Sequence, residues 1–195
     1  MIAAARRLLH CFAMAAVTAT AVAAGAAPLP GDSLYQLPAS LTWQDGSQAP
    51  LAALRGKPTV ITMFYASCDG VCPAIAFSMR RMEKSLDATQ RANMQWVMVS
   101  FDPARDTPET LRTFAADNKL DSGRWRLGCV DEAAVREVAA ALNVRYRALP
   151  NGVFNHSTEI VLLDAEGVIR ARTSNLATLD PDFMRAVAAE LNKKS

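Results

Sequence analysis

Residues 59–73 read Thr59-Val60-Ile61-Thr62-Met63-Phe64-Tyr65-Ala66-Ser67-Cys68-Asp69-Gly70-Val71-Cys72-Pro73. The first half is β-branched, aromatic and nearly continuous in apolar character, which predicts a strand covered on both faces. Gly56-Lys57-Pro58 breaks the chain just before it. After Pro73 the pattern changes period. Ile75, Met79, Met82 and Leu86 recur at helical spacing, so a helix is expected from Pro73 to Leu86. The two cysteines therefore sit where a buried strand gives way to a helix.

The same alternation continues outward. Trp96 to Phe101 reads as a second buried strand. Thr107-Pro108-Glu109 opens a helix, with Thr as N-cap and Pro at the first helical position. Asp131 caps another, whose Val135, Val138, Ala139 and Leu142 share a face. Ile160–Leu163 and Val168–Ala171 flank Asp164-Ala165-Glu166-Gly167 as a strand–turn–strand unit, and Asp180-Pro181 starts a last helix ending near Leu191. Upstream, Leu41–Trp43 and Leu51–Leu54 read as a hairpin turning at Asp45-Gly46. Strands alternating with helices imply an α/β domain with a central mixed sheet and helices on both faces. A parallel core finished by an antiparallel hairpin is the thioredoxin-like arrangement, here with an N-terminal β-hairpin added.

The chain has 195 residues, enough for one domain of ordinary size and a short extension. Residues 1–26 read as that extension: Arg6 and Arg7, then an apolar run, then Ala24-Gly25-Ala26 as a small-x-small cleavage site. This is the layout of a secretory signal peptide, and an uncleaved membrane anchor is the alternative. Cys11 is poorly placed for lipid attachment, since it lies near the start of the apolar run and not after it, and His10 stands where a small residue would be expected. Residues 27–40 read as an extended arm and 41–195 as the folded domain. Arg6 and Arg7 account for the whole formal net charge of +2, leaving the remainder neutral. No basic run interleaved with aromatics is present, which argues against a nucleic-acid partner. Either reading of the leader places the domain in the periplasm or otherwise outside the cytoplasm, touching a membrane only through residues 1–26.

Of the four cysteines, Cys68, Cys72 and Cys129 lie beyond the leader, as does one of the two histidines, His156. Four-residue spacing at a helix start puts the sulfurs of Cys68 and Cys72 within reach of one ion or of each other. Helix N–H groups favour the thiolate, which is both nucleophile and soft-metal ligand. A plain structural disulfide is the alternative in an exported protein, although so short a loop restricts little chain. Two thiolates and one imidazole match the ligand preferences of copper, whereas structural zinc takes a fourth ligand. His156 is expected in a loop leading into strand 160–163. Cys129 reads as a buried free thiol.

Three blocks, in order, resemble the SCO/SenC family of copper-binding assembly factors for cytochrome c oxidase. Phe64 to Pro73 is similar to its Cys-x-x-x-Cys-Pro motif. Val99 to Pro108 resembles its Asp-Pro-x-x-Asp-Thr-Pro segment, and His156 to Asp164 resembles the segment bearing its histidine ligand. The resemblance covers roughly residues 40–190. It implies a thioredoxin-like fold in which His156 approaches the cysteines, and Cu(I) or Cu(II) held by Cys68, Cys72 and His156. It further implies delivery to the dinuclear copper centre of a respiratory oxidase subunit, with an upstream copper donor or thiol reductant as a second partner. Asp102 and Asp106 would stand near the site and tune it, or simply form the turn before Pro108. Asp69 stands where the family usually has Pro, and an acid there opposes thiolate formation on Cys68. The competing function is a thiol–disulfide oxidoreductase cycling Cys68 and Cys72, which would reduce the oxidase's copper-ligand cysteines. Peroxide reduction fits the paired cysteines least well.

Overall fold

The computed structural model describes residues 27–68 and 70–193. Nine strands and five α-helices are described. The strands are β1 (Ser40–Trp43), β2 (Gln48–Pro50), β3 (Thr59–Phe64), β4 (Gln95–Ser100), β5 (Trp125–Val130), β6 (Tyr146–Ala148), β7 (Phe154–His156), β8 (Ile160–Leu163) and β9 (Ile169–Thr173). The helices are α1 (Val71–Ser85), α2 (Ala88–Ala92), α3 (Pro108–Asp117), α4 (Glu132–Ala141) and α5 (Pro181–Leu191).

Seven strands form one mixed sheet in the order β2-β1-β5-β4-β3-β8-β9, and β6 and β7 form a separate antiparallel pair. β3, β4 and β5 run parallel at the centre, and β8 and β9 finish the sheet antiparallel. This is the expected thioredoxin-like core. Every residue of β3 is buried, as its nearly continuous apolar run predicts. Register shows what covers each face. Val60 pairs with Trp96 and Trp96 with Trp125, so these residues and Phe64 share one face. There Glu83 of α1 accepts a hydrogen bond from Trp125 Nε1 at 2.9 Å, and Phe114 of α3 packs on Phe64 with ring centres 4.8 Å apart. On the other face Ile61 pairs with Val161 and Val161 with Arg172. Arg172 reaches the carbonyls of Leu142 and Ala141 at the end of α4. Helices thus cover both faces.

Helix starts follow the capping residues. Thr107, Asp131 and Asp180 accept backbone N–H groups at the N-termini of α3, α4 and α5. Three local expectations need correction. The N-terminal hairpin closes on Gln48–Pro50, and Leu51–Leu54 turn in a 3-10 helix that buries Leu51 and Leu54. Helix α1 begins at Val71, two residues before Pro73, because the first turn of a helix has no N–H to lose to a proline. His156 ends a strand and does not lie in a loop. Residues 27–39 have irregular backbone with one 3-10 turn at Leu34–Gln36, and Leu34 and Tyr35 are buried against the domain.

Candidate metal centre

Cys68 leaves β3 through a tight turn in which its N–H bonds to the Tyr65 carbonyl at 3.3 Å. Gly70 is the N-cap of α1, which places Cys72 at the second helical position, where backbone N–H groups are free to face an anion. Burial opposes ionisation of Cys68. The N–H groups of Cys72 and Gly70, the Cys72 thiol and the Tyr65 hydroxyl outweigh it, and the net direction for the Cys68 thiol is downward. Cys72 is fully enclosed, and burial, together with the neighbouring Cys68 and Asp106, pushes its thiol well up. One sulfur at the rim favours the thiolate and one beneath it favours the thiol.

His156 arrives from the β6–β7 hairpin. Its Nδ1 lies 3.0 Å from the Ser157 carbonyl. A carbonyl only accepts, so Nδ1 carries a proton, and Nε2 is the nitrogen left to ligate in the neutral tautomer. That Nε2 lies 3.7 Å from Cys72 Sγ, across a sequence separation of 84 residues. The two sulfurs and one imidazole nitrogen all lie within 4.8 Å of one another, the one such group of metal-ligating side chains among the described residues. A mouth lined by Cys68, Val71, Val153, Phe154 and His156 opens above it.

An aromatic shell, which the sequence reading did not identify, fixes the imidazole. Phe101 and Tyr65 pack on His156 with ring centres 5.1 and 5.9 Å away. Tyr146 stacks on Phe101 at 5.2 Å, and Phe154 meets Tyr65 edge-on at 5.2 Å. The Tyr65 hydroxyl also accepts the Phe154 N–H at 3.4 Å, which joins the cysteine turn to the hairpin. The available signal was positional: Tyr65 and Phe101 directly precede the two motif turns, and Phe154 precedes His156 by two residues.

Asp106 lies under the cysteine turn. Its carboxylate takes the Ala66 N–H at 2.8 Å and the Ser100 hydroxyl at 2.5 Å, and burial raises its pKa. Asp102 is buried and ion-paired with Arg105, and its carbonyl accepts the Arg105 and Asp106 N–H groups. Cys129 is a free buried thiol whose Sγ donates to the Asp106 carbonyl at 2.8 Å; burial raises its pKa to about 12. Asp69 and residues 1–26 lie outside the described residues, as do Asp69's expected effect on Cys68 and the signal-or-anchor expectation. No helix among the described residues is long and apolar enough to cross a membrane.

The SCO1/SenC family model matches residues 30–192. The chain belongs to the SCO1/SenC family. Among curated relatives, the SCO1 protein homolog of Bacillus subtilis is 29% identical over 82 residues, which span 42% of this chain and only 42% of that protein. Two solved SCO structures superpose over most of the chain. Bradyrhizobium japonicum ScoI, solved with copper bound, gives a TM-score of 0.67 at 24% identity, covering 78% of this chain and 97% of its own. BsSco, described as a member of the Sco family of cytochrome c oxidase assembly proteins with a disulfide switch, gives 0.68 at 21% identity, covering 81% and 94%. At these identities the structural likeness speaks to the fold, and the SCO1/SenC match places the three candidate ligands inside the family's span.

Proposed function

We propose that this SCO1/SenC protein carries a copper ion on Cys68 Sγ, Cys72 Sγ and His156 Nε2, outside the cytoplasm, and delivers it to the dinuclear copper centre of a respiratory oxidase. The observation that carries this reading is the convergence of the three ligand atoms within 4.8 Å. The donor set suits the ion: thiolates select Cu(I), and imidazole serves either oxidation state. With Nδ1 occupied by the Ser157 carbonyl, Nε2 is the ring nitrogen turned toward the Cys72 sulfur for ligation. Cys72 must lose a proton, so binding exchanges thiol protons for metal. Three protein ligands leave the ion coordinatively unsaturated toward the mouth, where an incoming thiolate or imidazole of the acceptor displaces the protein's ligands one at a time. The copper bound in the ScoI structure and the description of BsSco's family as cytochrome c oxidase assembly proteins support this reading. The leader-like residues 1–26 support export, by cleavage or by anchoring.

The test is a titration of Cu(I) into the fully reduced, oxygen-free protein against a competing chelator, beside His156→Ala. Tight one-to-one binding that weakens at least tenfold in the variant is expected. Binding indifferent to His156 overturns the site.

A second reading is favoured by one observation, the asymmetry of the cysteines. Cys68 has the lower thiol pKa and lies nearer the rim, while Cys72 is enclosed. In thiol–disulfide exchange the Cys68 thiolate attacks an acceptor disulfide and releases one acceptor thiolate. Cys72, after giving up its proton, then attacks Cys68 in the mixed disulfide, leaving a Cys68–Cys72 disulfide and a fully reduced acceptor. Two electrons pass to the acceptor. A mixed disulfide trapped with an oxidase subunit by Cys72→Ser would support this activity, and full exchange activity in His156→Ala would separate it from metal carriage.

A further inference from the structure

A groove of about 890 Å³ runs beside the metal centre, between α4 and the β6–β7 hairpin. Its floor is apolar and aromatic, built by Val135 of α4 with Phe101, Tyr146 and Phe154. Its rim is cationic. Arg136 projects from α4, and Arg145 and Arg147 flank Tyr146; all three are exposed. Among the described residues none of the three forms an ion pair. Of the two acids lining the groove, Asp102 is already paired with Arg105, which leaves Glu132 alone to offset three guanidinium groups. The paired Arg105 adds no net charge and holds its guanidinium 5.5 Å from the centre of the Phe154 ring. Because residues 27–195 are formally neutral, this cluster is a local asymmetry and not a reflection of overall charge.

The groove is continuous with the metal site. Phe154 lines both the groove and the mouth above Cys68. Tyr146 sits directly across the hairpin from His156, and Arg147 across from Asn155. An occupant of the groove therefore lies one strand-width from the ligand histidine. Guanidinium groups bind carboxylates by paired hydrogen bonds, and an aromatic floor takes apolar side chains. Exposed charges of this kind chiefly speed association and set orientation.

We propose that this groove docks an acidic segment of the acceptor protein, with Asp or Glu side chains on Arg136, Arg145 and Arg147 and an apolar side chain on the Phe101–Tyr146 floor. The segment so placed leads the acceptor's metal-binding groups to the mouth at Cys68 and His156. The inference rests on the proposed exchange at that site for its purpose, but its physical basis is the groove's charge and shape.

The probe is a fluorescein-labelled peptide of about twelve residues in which Glu and Asp alternate with Phe and Leu. A lysine counterpart and citrate serve as controls. Binding is read by fluorescence anisotropy on the full protein, at low salt and near 150 mM. The protein is tested beside Arg136→Glu/Arg147→Glu and, as a milder pair, Arg136→Gln/Arg147→Gln. The acidic peptide should bind, weaken with salt and lose at least tenfold affinity in the Glu pair and about threefold in the Gln pair. The lysine peptide should not bind. Cu(I) affinity by chelator competition should stay within twofold in both pairs, which separates docking from metal ligation. Failure of the acidic peptide to bind, equal binding to wild type and both variants, or citrate displacing the peptide at the peptide's own affinity each overturns the proposal. A protein that binds the acidic peptide selectively but no copper would sustain the docking site and sink the copper reading.

Discussion

Replacing Asp106 with Ala is expected to loosen the cysteine turn and to lower both stability and metal affinity. Asp106 is 3% exposed, and its carboxylate is the partner of the Ala66 N–H and the Ser100 hydroxyl. In the Ala variant both donors stay buried with no acceptor, each at a cost of about 1–3 kcal/mol. Relief of burying a charge offsets part of that, since burial already raises the Asp106 pKa, and a net loss of about 2–4 kcal/mol follows. For a protein of this size that corresponds to a fall of roughly 4–16 °C in Tm. Asn keeps one carbonyl acceptor for Ala66 and removes the charge, so Asp106→Asn should lose about 1 kcal/mol. Ala66 lies two residues before Cys68, so the Ala variant should also bind Cu(I) several-fold more weakly while the Asn variant stays close to wild type. Calorimetry and chelator competition on the three proteins supply both readouts. An Ala variant melting within about 2 °C of wild type, or an Asn variant as damaged as Ala, would refute the hydrogen-bond argument.

The cysteines should differ in reactivity. At pH 7.5 iodoacetamide should modify Cys68 at least tenfold faster than Cys72 or Cys129, as read by mass spectrometry of timed digests, because only Cys68 has its thiol pKa shifted downward. Metal affinity should depend on pH with a definite sign. The Cys72 thiol is pushed well up and is protonated throughout pH 6–8, so its proton competes with Cu(I), and affinity should rise about tenfold per pH unit from this proton alone; a flat profile would show that Cys72 is not a ligand. Gly167→Ala should destabilise by about 1–3 kcal/mol. Gly167 has φ +82°, and an added Cβ would lie 2.6 Å from the Tyr35 ring, prising residues 34–36 off the β8–β9 turn. Limited proteolysis near Leu34 checks this, and unchanged protection would contradict it.

The layered α/β order was legible because buried parallel strands such as β3 and β4 write themselves as nearly continuous apolar, β-branched runs, and because Thr107, Asp131 and Asp180 mark helix starts chemically. The β6–β7 pair was not, since three-residue strands with exposed Asn155, Arg147 and Ala148 carry too short an alternation to register. Its turn did leave a trace: Gly152 takes φ +78° in Pro150-Asn151-Gly152, a sequence suited to a tight reversal. β2 was displaced in the reading because the apolar run Leu51–Leu54 suggested a strand, whereas a 3-10 turn buries Leu51 and Leu54 equally well. For the site, residue chemistry and the resemblance named Cys68, Cys72 and His156. No local pattern could show Nε2 beside Cys72 Sγ, because that approach depends on a hairpin whose strands had not been recognised. The role of Asp106 was open for a similar reason: its partner, the Ala66 N–H, lies 40 residues away.

The hairpin bearing His156 hydrogen-bonds to no strand of the seven-stranded sheet, whereas both cysteines are built into the junction of β3 and α1. The proposed metal centre is therefore a jaw with one fixed side and one hung side. Opening it requires parting aromatic rings, the Phe154 N–H bond to the Tyr65 hydroxyl and the His156–Cys72 contact, and it breaks no rung of the main sheet. A cargo gripped in this way can be let go from the hung side without the main sheet yielding, so the His156 half of the grip can be tuned apart from the fold, whereas the cysteine half, tied to Asp106, cannot.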